Sequence, residues 1–135
     1  AAAVPVSICG VNVLLAEDNE INMEIAEFML ANEGAAVRKA VNGQQAVEMF
    51  SASEPGEIDV ILMDVMMPVM TRRIRGLNRP DARTVPIFAM TANAFADDAE
   101  RSRSAGMNEH LTKPIDAAVL TRTIARYVRG RETNP

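Results

Sequence analysis

Three acids, a hydroxyl and an amine stand at places in this chain where they could meet. Glu17 and Asp18 follow one apolar run, Asp64 closes a second, Thr91 closes a third, and Lys113-Pro114 follows a short fourth. Each has an ordinary reading. Glu17 or Asp18 could cap a following helix. Asp64 could bond the amides of the next turn. Alone, Thr91 reads as a turn hydroxyl, Lys113 as a solvated lysine and Pro114 as a turn residue. The set points elsewhere. Clustered carboxylates repel one another unless a cation sits between them. A hard cation with oxygen ligands, Mg²⁺ above all, removes that cost. An amine and a hydroxyl beside it then make room for an anion. A carboxylate so placed is suited to accept a phosphoryl group, since aspartyl phosphate is a known covalent intermediate. The metal and the lysine would neutralise the equatorial oxygens during transfer.

The elements that must position these groups follow from periodicity. Residues 11–16 form an apolar run short enough for a buried strand. Glu17-Asp18-Asn19-Glu20 supplies helix-start residues. Ile21, Ile25, Phe28, Met29 and Asn32 share one mostly apolar helical face, and Gly34 ends the segment. Residues 35–40 read as a shorter strand, Asn42-Gly43 as a turn, and 44–53 as a helix with Ala46, Val47 and Phe50 in register. Pro55-Gly56 breaks it. Residues 59–64 are the clearest strand, apolar on both faces and hence central in a parallel sheet. Met67-Pro68 ends it, and 71–77 allows only a short helix. Residues 85–90 read as a strand, 94–105 as a helix closed by Gly106, and 109–112 as a short strand. Residues 116–129 form an amphipathic helix with Ala117, Leu120, Ile124 and Val128 on one stripe. This alternation predicts a doubly wound α/β domain with a parallel sheet, whose reactive groups gather at the carboxyl ends of the strands.

Composition narrows the function. The 135 residues predict one domain over 11–130, with 1–10 a linker remnant lacking the features of a signal peptide and 131–135 a tail. Apolar residues are 48% and charged residues 24%, a globular and not a disordered balance. A net charge of −4 gives no basic footprint for nucleic acid. One cysteine, Cys9, makes no internal disulfide and fits a reducing cytoplasm. One histidine and one cysteine cannot build the usual zinc site, which leaves carboxylates, hydroxyls and lysines to carry chemistry. No apolar run reaches the roughly 18–20 residues of a membrane span.

Four segments resemble the receiver domains of two-component response regulators: Leu14-Leu15-Ala16-Glu17-Asp18-Asn19, the run from Asp59 through Asp64 to Pro68, Ala89-Met90-Thr91-Ala92, and Leu111-Thr112-Lys113-Pro114-Ile115. The resemblance covers about residues 11–129. It implies a (βα)5 flavodoxin-like fold with strand order 2-1-3-4-5. It implies Asp64 as phosphoacceptor and Mg²⁺ held by Asp18, Asp64, Glu17 and the Met66 carbonyl. Thr91 would be the switch hydroxyl, and Lys113 would pair with the phosphoryl group, set by a cis bond to Pro114. His110 stands where the family often has a switching Tyr or Phe; an exposed strand-end histidine is the alternative. The first motif resembles receivers of hybrid sensor histidine kinases. The implied partner is a histidine kinase or histidine phosphotransfer domain. The implied domain catalyses its own phosphorylation and dephosphorylation and is not a kinase by itself. It would lie in the cytoplasm, free or as part of a membrane-bound kinase, and would touch neither nucleic acid nor membrane directly.

The chain also departs from the family. The Asp-Gly pair usual after the strand-ending proline is missing, and Pro68-Val69-Met70 runs straight into Thr71-Arg72-Arg73-Ile74, about five residues short. The expectation is a mobile segment absent between Met70 and Thr71; a true deletion is the alternative and would favour a pseudo-receiver that only binds. A hydrolase with an aspartyl-phosphate intermediate would want an acid at Met66. A flavin carrier would want a phosphate loop where Glu17-Asp18-Asn19-Glu20 repels phosphate. Arg72, Arg73 and Arg75 read as solvated, and Arg122, Arg126 and Arg129 also, the latter set suited to an acidic partner. The nine methionines suit packing and adaptable contacts.

Overall fold

Short apolar runs pair into strands, and the segments between them wind back as helices. The computed structural model describes residues 8–64, 68–91, 106–112 and 115–132, with backbone alone at 64, 68, 69 and 129–132. In chain order the elements are β1 (Asn12–Ala16), α1 (Glu20–Asn32), β2 (Ala36–Ala40), α2 (Gly43–Ala52), β3 (Val60–Asp64), α3 (Pro68–Arg75), β4 (Ile87–Thr91), β5 (Glu109–Thr112) and α4 (Ala117–Glu132). All pairings are parallel, in the order β2-β1-β3-β4-β5, as expected. The helix expected over 94–105 lies outside the described residues.

Side chains alternate across the sheet and feed two cores. Val13, Leu15, Val60, Leu62, Phe88, Met90 and Leu111 face α1 and α4. Leu14, Ala16, Ile61, Met63, Ile87 and Ala89 face α2 and α3. Helices on both faces explain why β3 is apolar throughout. Ile8, within the stretch read as linker, is fully buried in the first core.

Local chemistry sets the helix starts. Asn19 Oδ1 accepts from Asn22 N at 3.0 Å, and Asn42 Oδ1 from Gln45 N at 2.8 Å. Asp116 Oδ1 accepts from Ala118 N at 2.8 Å and Val119 N at 3.1 Å. Gly34 follows α1 at φ +86, where a Cβ would come within 3.1 Å of Cys9 Sγ. The dihedral requires glycine there, and a Cβ would be tight against Cys9.

Three expectations need correction. First, α1 buries Met23, Ala26 and Leu30, while Ile21, Ile25 and Phe28 stand 68%, 47% and 72% exposed. The helix carries two apolar faces, and the sheet takes the other one. Second, α3 begins at Pro68, earlier than expected, because a proline lacks only an amide that the first turn leaves unbonded anyway. It runs from Pro68 through Met70 and Thr71 to Arg75. Fully buried Thr71, whose hydroxyl donates to Met63 Sδ at 3.3 Å, and fully buried Ile74 dock the short helix under β3. Third, Arg75 is not solvated: its guanidinium is half-buried and bonded to backbone oxygens of the α3–β4 and pre-β5 segments.

The α3–β4 connection is pinned by Arg79. Its guanidinium lies 4.3 Å from the Phe50 ring centroid and donates to the carbonyls of Phe50 and Ser53. It also donates to both oxygens of Asp81, at 2.6 and 3.0 Å. Burial pushes the Asp81 carboxyl up, but the Arg79 hydrogen bonds, the Gly56 amide and the Arg79 charge more than offset this and leave it below its usual value.

Candidate functional site at the carboxyl edge of the sheet

Parallel register carries the strand ends to one edge. Ala16 is level with Met63, so Glu17 follows level with Asp64 on the neighbouring strand, and such strands lie about 4.8 Å apart. Asp64 in turn is level with Met90, and Thr91 with Thr112. The first acids, Asp64 and Thr91 therefore share the carboxyl edge, with Thr112 placing the chain just before Lys113 there. Lys113, Pro114 and Met66 themselves lie outside the described residues.

Glu17 is 2% exposed. Its amide donates to Ala40 O at 3.1 Å, and its Oε1 accepts from Asn19 N at 3.1 Å. Asp18 is exposed. Neither acid caps α1, because Asn19 does. That removes the ordinary reading of this pair and leaves two hard oxygen donors beside the strand end that carries Asp64. Carboxylates of this kind are the donor chemistry Mg²⁺ prefers, so the residues fit that ion.

Thr91 is 3% exposed at the end of β4. His110 is half-buried in β5, level with Ala89. Alternation puts Ala89, and hence His110, on the sheet face that also carries Thr91. The exposed-histidine alternative is thus not what the fold adopts. On the outer side of β5, Glu109 Oε1 accepts from Tyr127 Oη at 2.8 Å and Arg126 Nη2 at 2.9 Å. Burial, followed by the Glu109 hydrogen bond and charge, raises the Tyr127 phenol above its ordinary value. The Tyr127 ring meets Phe88 edge-on at 5.1 Å, so α4 is tied to both β4 and β5.

Sequence reasoning missed two features, one beside this site and one at the opposite end of the sheet. The exposed Ile21, Ile25 and Phe28 stripe starts at the acidic edge and runs along α1. Its signal was the presence of two apolar sets, 21/25/28 and 23/26/30, on one helix. Arg75 gave no local signal, because its partners lie up to 33 residues away.

A family model described as the response regulator receiver domain matches residues 13–125. The aerobic respiration control sensor protein ArcB of Escherichia coli K12 is 38% identical over 120 residues, covering 86% of this chain and 15% of that protein. Hybrid signal transduction histidine kinase I of Dictyostelium discoideum is 34% identical, covering 83% of this chain and 7% of its own length. The chain thus spans a small part of these relatives. The crystal structure of a sensor histidine kinase receiver domain from Pseudomonas aeruginosa PAO1, with a magnesium ion coordinated in its active site cleft, matches at a TM-score of 0.78 and 39% identity, over 89% of this chain and 98% of that one. The receiver domain in a Saccharomyces cerevisiae complex with the histidine phosphotransfer protein Ypd1 matches at 0.78 and 28% identity, over 91% and 92%. The fold, the edge it assembles and the match over residues 13–125 agree, and the chain belongs to the response regulator receiver domains.

Proposed function

We propose that this receiver accepts a phosphoryl group from a partner's phosphohistidine onto Asp64. The P–N bond to the imidazole breaks as a P–O bond to the carboxylate forms. The observation that carries this reading is the register, which sets Glu17 and Asp64 level on adjacent strands with Thr91 beside them. Asp18, Asp64, Glu17 and the Met66 carbonyl would hold Mg²⁺, which when bound neutralises charge on the acids and on the incoming oxygens. Lys113 would take a further phosphoryl oxygen, with Pro114 setting its approach. Thr91 and His110, on one sheet face, would then shift together and re-weight the surface built by β5 and α4. That surface exposes Val119, Arg122 and Arg126 around a shallow depression, suited to an acidic partner.

A histidine kinase or histidine phosphotransfer domain is the proposed donor, as in hybrid kinases. It must bring a phosphohistidine to the carboxyl edge. The Ile21, Ile25 and Phe28 stripe begins at that edge and offers the apolar contact that would hold it there. Such a domain would work in the cytoplasm; among the described residues no helix is long and apolar enough to cross a membrane.

The test is incubation with Mg²⁺ and acetyl phosphate, read by intact mass. A phosphoryl gain that Asp64→Asn abolishes is expected. No gain in the wild type, together with no binding of beryllofluoride, defeats the reading. The shortened α3 favours one second reading, a receiver fold that binds without being phosphorylated, and the same negative result would select it.

A further inference from the structure

We propose that Arg75 is a positioning residue for the phosphoryl switch, clamping the root of β5 so that movement is delivered at its far end; this rests on the receiver reading above. All five N–H donors of its guanidinium are used. Nε and Nη2 donate to Gly106 O at 3.1 and 2.8 Å. Nη1 donates to Ala82 O at 3.2 Å and Val85 O at 2.6 Å. The second Nη2 proton goes to Asn108 Oδ1 at 2.9 Å. That same Asn108 oxygen accepts from Ile87 N at 2.8 Å, and Asn108 N donates to Ile87 O at 2.6 Å. Three elements therefore meet at Asn108: the end of α3, the start of β4 and the start of β5.

The fit is close on both sides. Gly106 has φ +105, and a Cβ there would come within 3.1 Å of Arg75 Cγ. Glycine lets the backbone pass directly beneath the guanidinium. Every acceptor is a neutral oxygen, a planar fork's use of geometry more than of charge. The strand it anchors needs anchoring. β5 has four residues and pairs with β4 alone among the described strands. At the other end, α3 starts four residues after Asp64 and spans only about 12 Å at 1.5 Å per residue. The short helix thus joins the phosphorylation edge to the root of β5. With that root fixed, a displacement of Thr91 and His110 moves the upper end of β5; with it loose, the strand slides and the displacement is lost.

The experiment is amide NMR of wild type, Arg75→Gln and Arg75→Lys with Mg²⁺, with and without beryllofluoride, alongside acetyl phosphate labelling. Arg75→Gln should keep labelling of Asp64 within about threefold of wild type. Its beryllofluoride-induced shifts at 109–112 should fall at least twofold, with amide exchange at Asn108 and Glu109 at least tenfold faster. Arg75→Lys, which restores charge but not the fork, should recover only part of the response. Wild-type shifts in a folded Arg75→Gln protein overturn the proposal. If that variant fails to fold, Asn108→Ala removes just the shared acceptor and must show the same loss; a wild-type response there overturns it equally. If the wild type itself neither labels nor binds beryllofluoride, the receiver reading has failed, and the clamp proposal falls with it.

Discussion

Phe28→Ala separates docking from chemistry. The ring is 72% exposed on α1. An aromatic side chain buries about 150–250 Å² when fully covered, so a partner seated here could remove roughly 140 Å² of it from water. At about 25 cal/mol per Å² that is an upper bound of ~3.5 kcal/mol. Partial coverage and side-chain ordering reduce this to about 2 kcal/mol, the level of an interface hot spot. Losing it weakens docking about 30-fold. The fold itself should not suffer, because alanine is the better helix former by up to about 0.7 kcal/mol and Phe28 belongs to neither core among the described residues. The assay is phosphotransfer from a phosphorylated histidine phosphotransfer domain, titrated to saturation, beside labelling with acetyl phosphate. The expected result is a KM raised about 30-fold with kcat held, as for a contact made equally in ground and transition states. Acetyl phosphate labelling should be unchanged, since so small a donor has nothing to dock. An unchanged KM refutes the docking argument. An equal loss with both donors refutes it too, by showing that the site and not the surface was disturbed.

Two other predictions concern titration. Asp81→Asn keeps the shape of the Arg79 cluster but removes a charge, and should cost about 1.5–3 kcal/mol in urea unfolding at neutral pH. The Asp81 carboxyl is held below its ordinary value, so its contribution is complete above about pH 4 and is lost as pH falls through the lower folded-state value. The gap between wild type and variant should therefore close as pH falls below about 4, and a pH-independent gap would sink the assignment. Tyr127 is the chain's one tyrosine, and there is no tryptophan, so tyrosinate absorbance reports it alone. Its raised phenol should titrate above about pH 10 in the native state and at about 10 in denaturant. The stabilisation it brings is full below that pH and is lost as pH rises, and a native midpoint at or below 10 contradicts the Glu109 contact.

Most element positions could be read from the chain because each rests on local chemistry, whereas the strand order came from the resemblance to receiver domains. The β3 run is apolar on both faces, and Asn19 and Asp116 stand at the starts of two helices that they cap, while Asn42, read as a turn residue, caps a third. Glu17, Asp18, Asp64 and Thr91 were legible as a set for the same reason: a strand's last residue in a parallel sheet is by construction at the reactive edge. What could not be read depends on distant partners. Periodicity fits both apolar faces of α1, and only packing against β1 and α4 chooses Met23, Ala26 and Leu30. Met67-Pro68 reads as a stop, yet Pro68 opens α3. Arg75 sits in an arginine-rich stretch beside two exposed arginines, and its burial depends on carbonyls supplied by residues 82, 85 and 106.

The outer strand β2 has a consequence of another kind. Among the described strands it pairs with β1 alone. Two of its three inner residues are cations, Arg38 bonded to Glu57 at 2.5 Å and Lys39 to Glu27 at 3.3 Å. The Arg38 hydrogen bond is the main reason the Glu57 carboxyl lies below its ordinary value. An unpaired backbone edge invites another strand, and adjacent charges guard against it, because any strand laid alongside would strip water from both. Receivers strung on one polypeptide meet one another at high effective concentration. For a domain in that setting, Arg38 and Lys39 are sentries against sheet-to-sheet aggregation, independent of phosphorylation.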